Sequence, residues 1–588
     1  MQPQEFYSAQ KNIYEKELVD LKAKLSMSSL FRLMVFLITG FGVYLFFYST
    51  VYAILIVILG IMVFSYLLVR HTNLQYKKQK KQKLLEINTT ELEVLNGNFN
   101  HLDMGKEFIN PAHYYSYDID LFGKGSFFQY INRTATNEGK IELASTLTDN
   151  TIKATDAKQN AIKELAKKPK WRQLFTARAS LVKVDYPAEH IVSWIHNYKP
   201  NLPNTMAWLP IVFSLVSLTI AVLVASKIIN FQYLVIWFFV GLAVIGFYIK
   251  KINKLYRNTT KAKDIFKQYH QLLNMIEAES FTSKILNEKQ ASIKTEKEKA
   301  SIIFARFSKL LDAFDQRNNM MIGVVMNAFM LRDIRISYSI EKWITNYYHK
   351  VEKWFEAIAF FDAENSLANV AFNHPDFVFP KFSKDNTIIS AINFGHPLIK
   401  DDLRITNNFT INNQQFFIIT GANMAGKSTF LRTVSLAIVM ANAGLPVCAT
   451  QFTYTPIKII TSMRTSDSLA DDESYFFSEL KRLKFIVEEI TTENYFIILD
   501  EILKGTNSTD KAIGSKKFVQ KLVASNSTGI IATHDLSLCE IEKELPQIKN
   551  YYFDAEIINN ELYFDYKLKK GVCKNMNASF LLKKMDIV

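Results

Sequence analysis

The nine residues 421–429, GANMAGKST, constrain the fold of this chain more than any other part of the sequence. They fit the pattern G-x-x-x-x-G-K-[ST] and lie between the apolar run 416–419 and the helical-looking segment 430–434. A loop between a strand and a helix presents backbone N–H groups and a helix N-terminus to a phosphate. A glycine-containing turn without a ligand is the alternative, and the strand and helix on either side favour the phosphate site.

The motif predicts a nucleotide site. We expect Lys427 to reach the β- and γ-phosphates and Ser428 to give its hydroxyl to Mg²⁺. The expected phosphate-binding residues are Gly421, Ala422, Asn423, Met424, Ala425, Gly426, Lys427, Ser428 and Thr429.

Two further apolar runs end in polar residues suited to phosphoryl transfer. The run 495–499 is typical of a strand buried on both faces of a parallel sheet, and Asp500 and Glu501 follow it. We expect Asp500 to orient the metal and Glu501 to activate the attacking water. The run 529–533 ends at His534, which could sense the γ-phosphate. Taken alone, His534 would more often be a structural histidine.

Two long apolar segments predict transmembrane helical hairpins. Residues 33–69 include no charged side chain, and Lys227 is the only one in residues 205–249. One span needs about 20 residues, so each segment accommodates two spans and a turn. Basic residues flank the outer ends of both, which places the soluble parts in the cytoplasm of a multi-pass protein of the cytoplasmic (inner) membrane. The alternative, a buried core helix, seldom has so long an uncharged run.

The net charge and the cysteine positions indicate which partners and metal sites the chain can have. The formal net charge of +14 favours an anionic partner, either nucleic acid or a lipid surface. Cys448, Cys539 and Cys573 are scattered without metal-ligand spacing, so we expect neither a disulfide framework nor a zinc site.

These motifs carry a family resemblance. Residues 420–432, TGANMAGKSTFLR, resemble the ATPase domain of the MutS family of DNA mismatch-repair ATPases, whose phosphate loop has Asn-Met inside it. Residues 500–507 resemble the family's Walker B run, and residues 532–534 its switch histidine. Residues 121–139 resemble the start of its helical core domain.

The resemblance implies further site residues and partners. His396 and Asn407 match the family's adenine-side segment, and residues 467–479 match its signature segment, in which Ser474 would contact the partner subunit's nucleotide. ATP and Mg²⁺ as cofactors, a homodimer through the ATPase domains and DNA as a partner are implied in the same way.

The fold class we expect is an α/β P-loop ATPase domain of the ABC/MutS type with an all-α core and lever domain and two transmembrane hairpins. The expected domains are an amphipathic helix (1–32), the first hairpin (33–69), the first part of the core (70–204), the second hairpin (205–249), the second part of the core and lever (250–371) and the ATPase domain (372–588).

The sequence also departs from the family pattern. Ala422 and Ala425 replace the usual Pro and Gly, and both are small enough for phosphate binding. Asp472 and Glu473 replace the usual Gly-Arg of the signature, which puts two acids near a second subunit's phosphates. An N-terminal domain with a Phe-x-Glu wedge is not recognisable, so we do not expect mismatch reading.

The sequence is therefore compatible with three functions. The leading one is a membrane-anchored MutS-like ATPase that binds DNA in an ATP-dependent way. The second is an ATP-driven, dimerising membrane tether that acts on an unknown protein or lipid partner. The third, an ABC-type transporter, lacks the Leu-Ser-Gly-Gly-Gln signature and has no charged residue at the centre of a span to form a pathway.

Overall fold

The computed structural model describes residues 2–182, 187–295, 298–318, 320–464, 475–504, 507–558 and 561–574. The helices are α1 Pro3–Leu45, α2 Thr50–Leu95, α3 Phe127–Ile131, α4 Asn137–Thr148, α5 Thr155–Ala166, α6 Pro169–Ala179, α7 Ala188–His196, α8 Leu209–Ala225, α9 Gln232–Ala278, α10 Lys284–Ser292, α11 Ala300–Asp315, α12 Met320–Met330, α13 Arg332–Asn373, α14 Lys427–Asn442, α15 Tyr475–Glu489 and α16 Ser508–Val523. Short 3₁₀ turns cover Lys106–Phe108, Asn204–Ala207, Gln316–Asn318 and Leu536–Lys543.

The strands are concentrated in the last third of the chain. They are β1 Lys381–Phe382, β2 Thr387–Phe394, β3 Asn407–Asn412, β4 Phe416–Gly421, β5 Gln451–Tyr454, β6 Lys458–Ser462, β7 Tyr495–Asp500, β8 Thr528–Ala532, β9 Ile548–Phe553, β10 Glu556–Ile558, β11 Glu561–Tyr563 and β12 Leu568–Lys570. The three apolar runs singled out in the sequence thus form β4, β7 and β8.

These three strands lie side by side in the larger sheet. Its order is β12-β9-β4-β8-β7-β6, and every neighbouring pair is parallel except β12 with β9. β4, β7 and β8 are fully buried along their apolar parts, as expected for parallel strands covered on both faces. A smaller sheet of order β1-β5-β2-β3 lies beside it, and β10 pairs with β11.

The apolar segments form two antiparallel helix pairs with exposed apolar surfaces. Among the described residues, α1, α2 and α9 are long and apolar enough to cross a membrane, and α8 is a shorter apolar helix. The α1–α2 turn includes Tyr48, which is 98% exposed, and the α8–α9 turn includes Lys227. Within the second pair the rings of Phe213 and Trp237 stack at 4.5 Å, and Trp237 Nε1 donates to Ser217 Oγ. Helix α12, which the sequence analysis placed in the helical core, packs against α8 and α9.

A buried carboxylate joins the two parts of the helical core. Asp362 lies in the C-terminal third of α13. It accepts hydrogen bonds from Ala135 N, Thr136 N and Thr136 Oγ1 at the start of α4. Thr136 Oγ1 in turn accepts from Gly139 N and caps α4. Burial raises the pKa of Asp362 to about 6 although these hydrogen bonds lower it. The contact fixes α13 against the segment that resembles the family's core domain.

The start of the N-terminal helix α1 also contacts α13. Tyr7 OH donates to Asn373 Oδ1 at 2.7 Å, and Arg172 Nη1 on α6 donates to Asn369 Oδ1 at 2.8 Å. The last turn of α13 therefore contacts both the start of α1 and the helical core, seven residues before β1 opens the strand-rich part.

We predict that Asp362→Ala lowers the free energy of unfolding by about 2 kcal/mol or more, because three donors lose a charged acceptor in a buried place. Since the folded pKa lies above the unfolded value, wild-type stability should fall as pH rises from about 4 to about 6, and the variant should lack this slope. Melting of the purified protein across this pH range measures both effects. Glu352→Ala, an exposed position on the same helix, is the control and should change neither.

Candidate nucleotide-binding site

The carboxyl ends of β4, β7 and β8 bring the predicted catalytic residues together. Ile419 pairs with Ala532, and Ala532 pairs with Asp500, so the three strands end at the same level. Ligands of parallel sheets bind outside this edge. The 421–429 loop follows β4, Asp500 ends β7, Glu501 comes next, and His534 follows β8 after one residue.

The loop conformation depends on its two glycines. Gly421 has φ of 153°, and a Cβ there would lie 2.6 Å from the carbonyl oxygen of Phe553. Gly426 has φ of 102° just before α14 begins. Ala422 and Ala425, the two departures from the family pattern, are buried, while Asn423 and Met424 are exposed at the tip. Met424 has φ of 66°, in the left-handed region. The loop therefore keeps a strained turn with two small buried side chains.

Lys427 has three polar neighbours, two of which are carbonyl groups of the loop. Its Nζ donates to Gly421 O at 2.8 Å and to Ala422 O at 2.9 Å, and it lies 3.2 Å from His534 Nε2. Burial lowers the pKa of Lys427, while Asp500 and Glu501 raise it. The ammonium is thus held under the loop, and a phosphate bound there would replace these acceptors.

Ser428 and Asp500 form the second contact of the site. Ser428 Oγ donates to Asp500 Oδ2 at 2.6 Å, which links the first turn of α14 to the end of β7. A hydroxyl and a carboxylate oxygen are the ligands that Mg²⁺ prefers, and Mg²⁺ in phosphate sites commonly takes few protein ligands. The Ser428–Asp500 pair therefore fits a Mg²⁺ whose remaining ligands are phosphate oxygens and water.

Glu501 and His534 face each other across the same edge. His534 Nε2 lies 3.3 Å from Glu501 Oε1. Burial and the neighbouring Lys427 lower the pKa of His534, so its imidazole is neutral at neutral pH. Glu501 has φ of 58°, and its N–H donates to Ala532 O at 2.8 Å. A left-handed backbone at a non-glycine residue is costly and is found preferentially at functional sites.

A cavity of about 300 Å³ adjoins the loop. His396, Asn407, Gly426 and Thr429 line it together with an aromatic wall. The wall consists of Phe394, Phe430, Phe553 and Tyr566. Burial lowers the pKa of His396 to about 4, so this ring is neutral as well. The cavity is flat-walled, uncharged and next to the phosphate loop, which suits a purine base.

Asn407, predicted on the adenine side, lines this cavity, and its side-chain amide is bonded to the backbone of the 566–568 segment. Its Nδ2 donates to Tyr566 O at 3.1 Å, and its Oδ1 accepts from Leu568 N at 2.8 Å. Both ends of the amide therefore hold the segment before β12, which carries Tyr566 into the cavity wall. Ser474, predicted as the contact to a partner subunit, lies outside the described residues.

Sequence reasoning missed the residues that connect this site to the helical core. Asp118 Oδ2 accepts from Thr461 Oγ1 at 2.6 Å, and its Oδ1 accepts from Arg464 N at 2.9 Å. Asp120 binds Arg464 at 2.6 Å and lies 3.7 Å from Arg432 of α14. Both acids sit next to the segment 121–139 that resembles the core domain, but their basic partners lie more than 300 residues away in sequence. The aromatic wall was missed for the same reason.

Comparison with known proteins assigns the strand-rich part. The family model described as MutS domain V matches residues 417–583, which include the phosphate loop, β7, β8 and both acids at the end of β7. This part of the chain belongs to the MutS domain V family.

Individual proteins are also similar to part of this chain. MutS protein homolog 4 of Homo sapiens is 31% identical over 247 residues, 40% of this chain and 26% of the relative. The DNA mismatch repair protein MutS of Finegoldia magna is 30% identical over 249 residues, 41% of this chain and 28% of the relative. The protein of the same name from Methanococcoides burtonii is 33% identical over 220 residues, which are 36% of this chain and 24% of the relative. The match thus spans about a quarter of the length of these relatives.

We predict that Asn407→Ala weakens nucleotide binding about tenfold, because the cavity wall loses the two hydrogen bonds that hold the 566–568 segment. Binding of a fluorescent adenine nucleotide measures the affinity, and amide exchange at residues 566–568 measures the loosening. Asn413→Ala, in the exposed turn after β3, is the matched control. Unchanged exchange at 566–568 together with weaker binding would instead mean that the amide contacts the base itself.

Proposed function

We propose that this protein is a membrane-anchored MutS-like ATPase in which ATP binding and Mg²⁺-dependent hydrolysis control binding to DNA. The observation that carries the proposal is the convergence of Lys427, the Ser428–Asp500 pair and the Glu501–His534 pair at one sheet edge beside an uncharged aromatic cavity. The match to MutS domain V supports ATP as the nucleotide.

In this proposal the phosphates lie along the 421–429 loop and the base enters the aromatic cavity. Lys427 exchanges Gly421 O, Ala422 O and His534 for the β- and γ-phosphate oxygens. Ser428 and Asp500 hold Mg²⁺, which neutralises charge on the β- and γ-phosphates when it is bound. His396, being neutral, adds a polar edge to the cavity without an unpaired charge.

Glu501 is the proposed general base for the attacking water. Its carboxylate is 27% exposed and sits at the mouth of the site, where water has access. Because the pKa of His534 is lowered, the imidazole does not neutralise Glu501 and the carboxylate keeps its capacity to take a proton. His534 lies between Lys427 and Glu501, so a phosphate that moves Lys427 also changes the contacts of His534. This supports His534 as the residue that reports the γ-phosphate.

Membrane anchoring is proposed from the apolar surface of the two helix pairs. The most apolar windows of α1, α2 and α9 are almost entirely exposed, and such surfaces are unfavourable in water. Basic residues follow both pairs, at Arg70 and at Lys250 and Lys251, so the positive-inside rule places the core and ATPase parts in the cytoplasm. Two protomers would associate through their ATPase domains.

DNA is the proposed partner because relatives that match part of the chain are named as DNA mismatch repair proteins and because the chain has a net charge of +14. Mismatch recognition is not part of the proposal. A protein or lipid partner is the alternative that the DNA measurement below separates.

We predict that Glu501→Gln lowers ATP turnover at least about 100-fold while nucleotide binding is kept, because only the general base is lost. Lys427→Ala should instead abolish nucleotide binding, since the phosphates lose their ammonium partner. Phosphate release and binding of a fluorescent ATP analogue separate the two effects. Glu540→Gln, an exposed glutamate after β8, is the control. Equal turnover in wild type and Glu501→Gln would contradict the catalytic assignment.

We predict that the protein in detergent binds duplex or branched DNA more tightly with ATP than without it, and that the affinity falls steeply with salt as counterions are released. In the presence of ATP, the Glu501→Gln variant should keep the higher affinity for DNA that the ATP-bound protein has. Binding across a salt series, with and without ATP, tests this. Salt-sensitive binding that ignores ATP would indicate only a basic surface, and no binding at low salt would favour a protein or lipid partner.

A further inference from the structure

We propose that α12 is inserted into the hydrocarbon layer of the membrane beside the second helix pair, so that the lever helix α13 begins at the bilayer. The partner of this surface is the lipid acyl chains. The inference rests on the membrane anchoring proposed above and extends it to a segment that the sequence analysis placed in the soluble helical core.

The first observation is the division of α12 into two faces. Gly323, Asn327 and Ala328 are buried, whereas Val324, Val325, Met326 and Met330 are exposed. Val325 is 51% exposed. A helix of this composition that left its apolar face in water would expose a patch that soluble proteins seldom tolerate.

The second observation is the point along α9 at which α12 packs against it. A Cβ on Gly241 would lie 2.0 Å from Ala328 O, so the two helix backbones are in direct contact at this point. The rings of Phe238 and Phe329 are 5.8 Å apart. The uncharged part of α9 runs from residue 232 to residue 249, and Gly241 is near its middle. If α9 spans the membrane, Ala328 lies near the centre of the bilayer.

The exposed face of α12 is continuous with the surface proposed to contact lipid. At the same level, α8 and α9 expose Leu215 and Phe239. Small residues that let helix backbones touch are typical of packing between helices in membranes. α12 has 11 residues and measures about 16 Å, too short to cross the bilayer but long enough to enter half of it.

Arg317, which precedes α12, lies where the interface is expected. Arg317 Nε is 3.2 Å from Asp333 Oδ2, and the Arg317 guanidinium lies 5.0 Å from the ring centre of Tyr256. Tyr256 follows the uncharged part of α9 by seven residues and lies beside Arg257. Asn327, the polar residue of the buried face, has its Oδ1 bonded to Asp333 N at 2.8 Å. Arg317 and Asn327 therefore both contact Asp333, so these polar groups pair with one another.

This position gives the lever a direct membrane contact. α13 starts two residues after α12, extends over 42 residues and measures about 63 Å. Its far end carries Asp362 and leads into β1. A tilt of α13 that follows ATP-dependent movement would therefore move α12 within the lipid, and lipid packing around α12 would act back on the ATPase part.

Single introduced cysteines carrying a nitroxide label test the insertion in protein reconstituted into phosphatidylcholine–phosphatidylglycerol vesicles. The native cysteines are all buried, and labelled wild type gives the background. We expect the spectra of labels at Val325→Cys and Met330→Cys to be broadened by oxygen and protected from a water-soluble nickel chelate. A label at Leu218→Cys on α8 should behave in the same way, and this pattern is called a lipid reading below. Ile141→Cys, exposed on α4, gives the aqueous reference.

The outcomes separate this inference from the anchoring. An aqueous reading at residues 325 and 330 with a lipid reading at 218 would overturn the insertion of α12 alone. An aqueous reading at 218 would overturn the anchoring and the insertion with it. Protection from both oxygen and nickel at residue 325, with spin–spin broadening, would mean that a second copy of the chain covers α12 and would also overturn the proposal.

Two glycines of α9 provide a matched pair of variants. Gly241→Val places methyl groups against the Ala328 backbone, whereas at Gly246 no atom lies within 4 Å of an added Cβ. We expect Gly241→Val to release α12, with loss of the lipid reading at Val325→Cys, and Gly246→Val to leave that reading unchanged. Equal readings in both variants would show that the α9 contact does not hold α12 at this depth.

Discussion

The carboxylate of Asp362 is the contact on which the helical core depends. The second apolar helix pair separates the two parts of the core in sequence, so a long-range interaction has to bring α4 and α13 into register. Asp362 does this with three hydrogen bonds from two adjacent residues of the 132–136 segment. Such a group is costly to bury unpaired and is therefore specific about its partners. With α13 fixed in this way, its last turn positions α1, α6 and the entrance to the strand-rich part.

The candidate nucleotide site then depends on contacts that are local in sequence and on contacts between distant segments. The phosphate loop, Asp500, Glu501 and His534 come from three strand ends that a parallel sheet places at one edge. The contacts of Asp118 and Asp120 with Thr461, Arg464 and Arg432 attach this edge to the helical core. Since Arg432 lies on the helix that begins with Lys427 and Ser428, the same helix contacts both the site and the core.

Local pattern therefore predicted much of the site and little of its surroundings. The loop motif and the buried strands could be found because their signals are contiguous. The aromatic wall could not, because Phe394, Phe430 and Tyr566 meet only through the pairing of the sheets. The amide of Asn407 is engaged with the backbone of Tyr566 and Leu568, which no pattern in the sequence indicates. Likewise, the 11 residues of α12 resemble an ordinary core helix, and only the close approach of Gly241 to Ala328 reveals their location.

The place of Tyr566 in the cavity wall has a consequence for synthesis on the ribosome. Both apolar helix pairs leave the ribosome before the phosphate loop is made, and Tyr566 follows that loop by well over 100 residues. The nascent chain thus has its phosphate loop long before it has a closed wall for the base. A nucleotide would be retained only after β12, which follows Tyr566, has been made and pairs with β9.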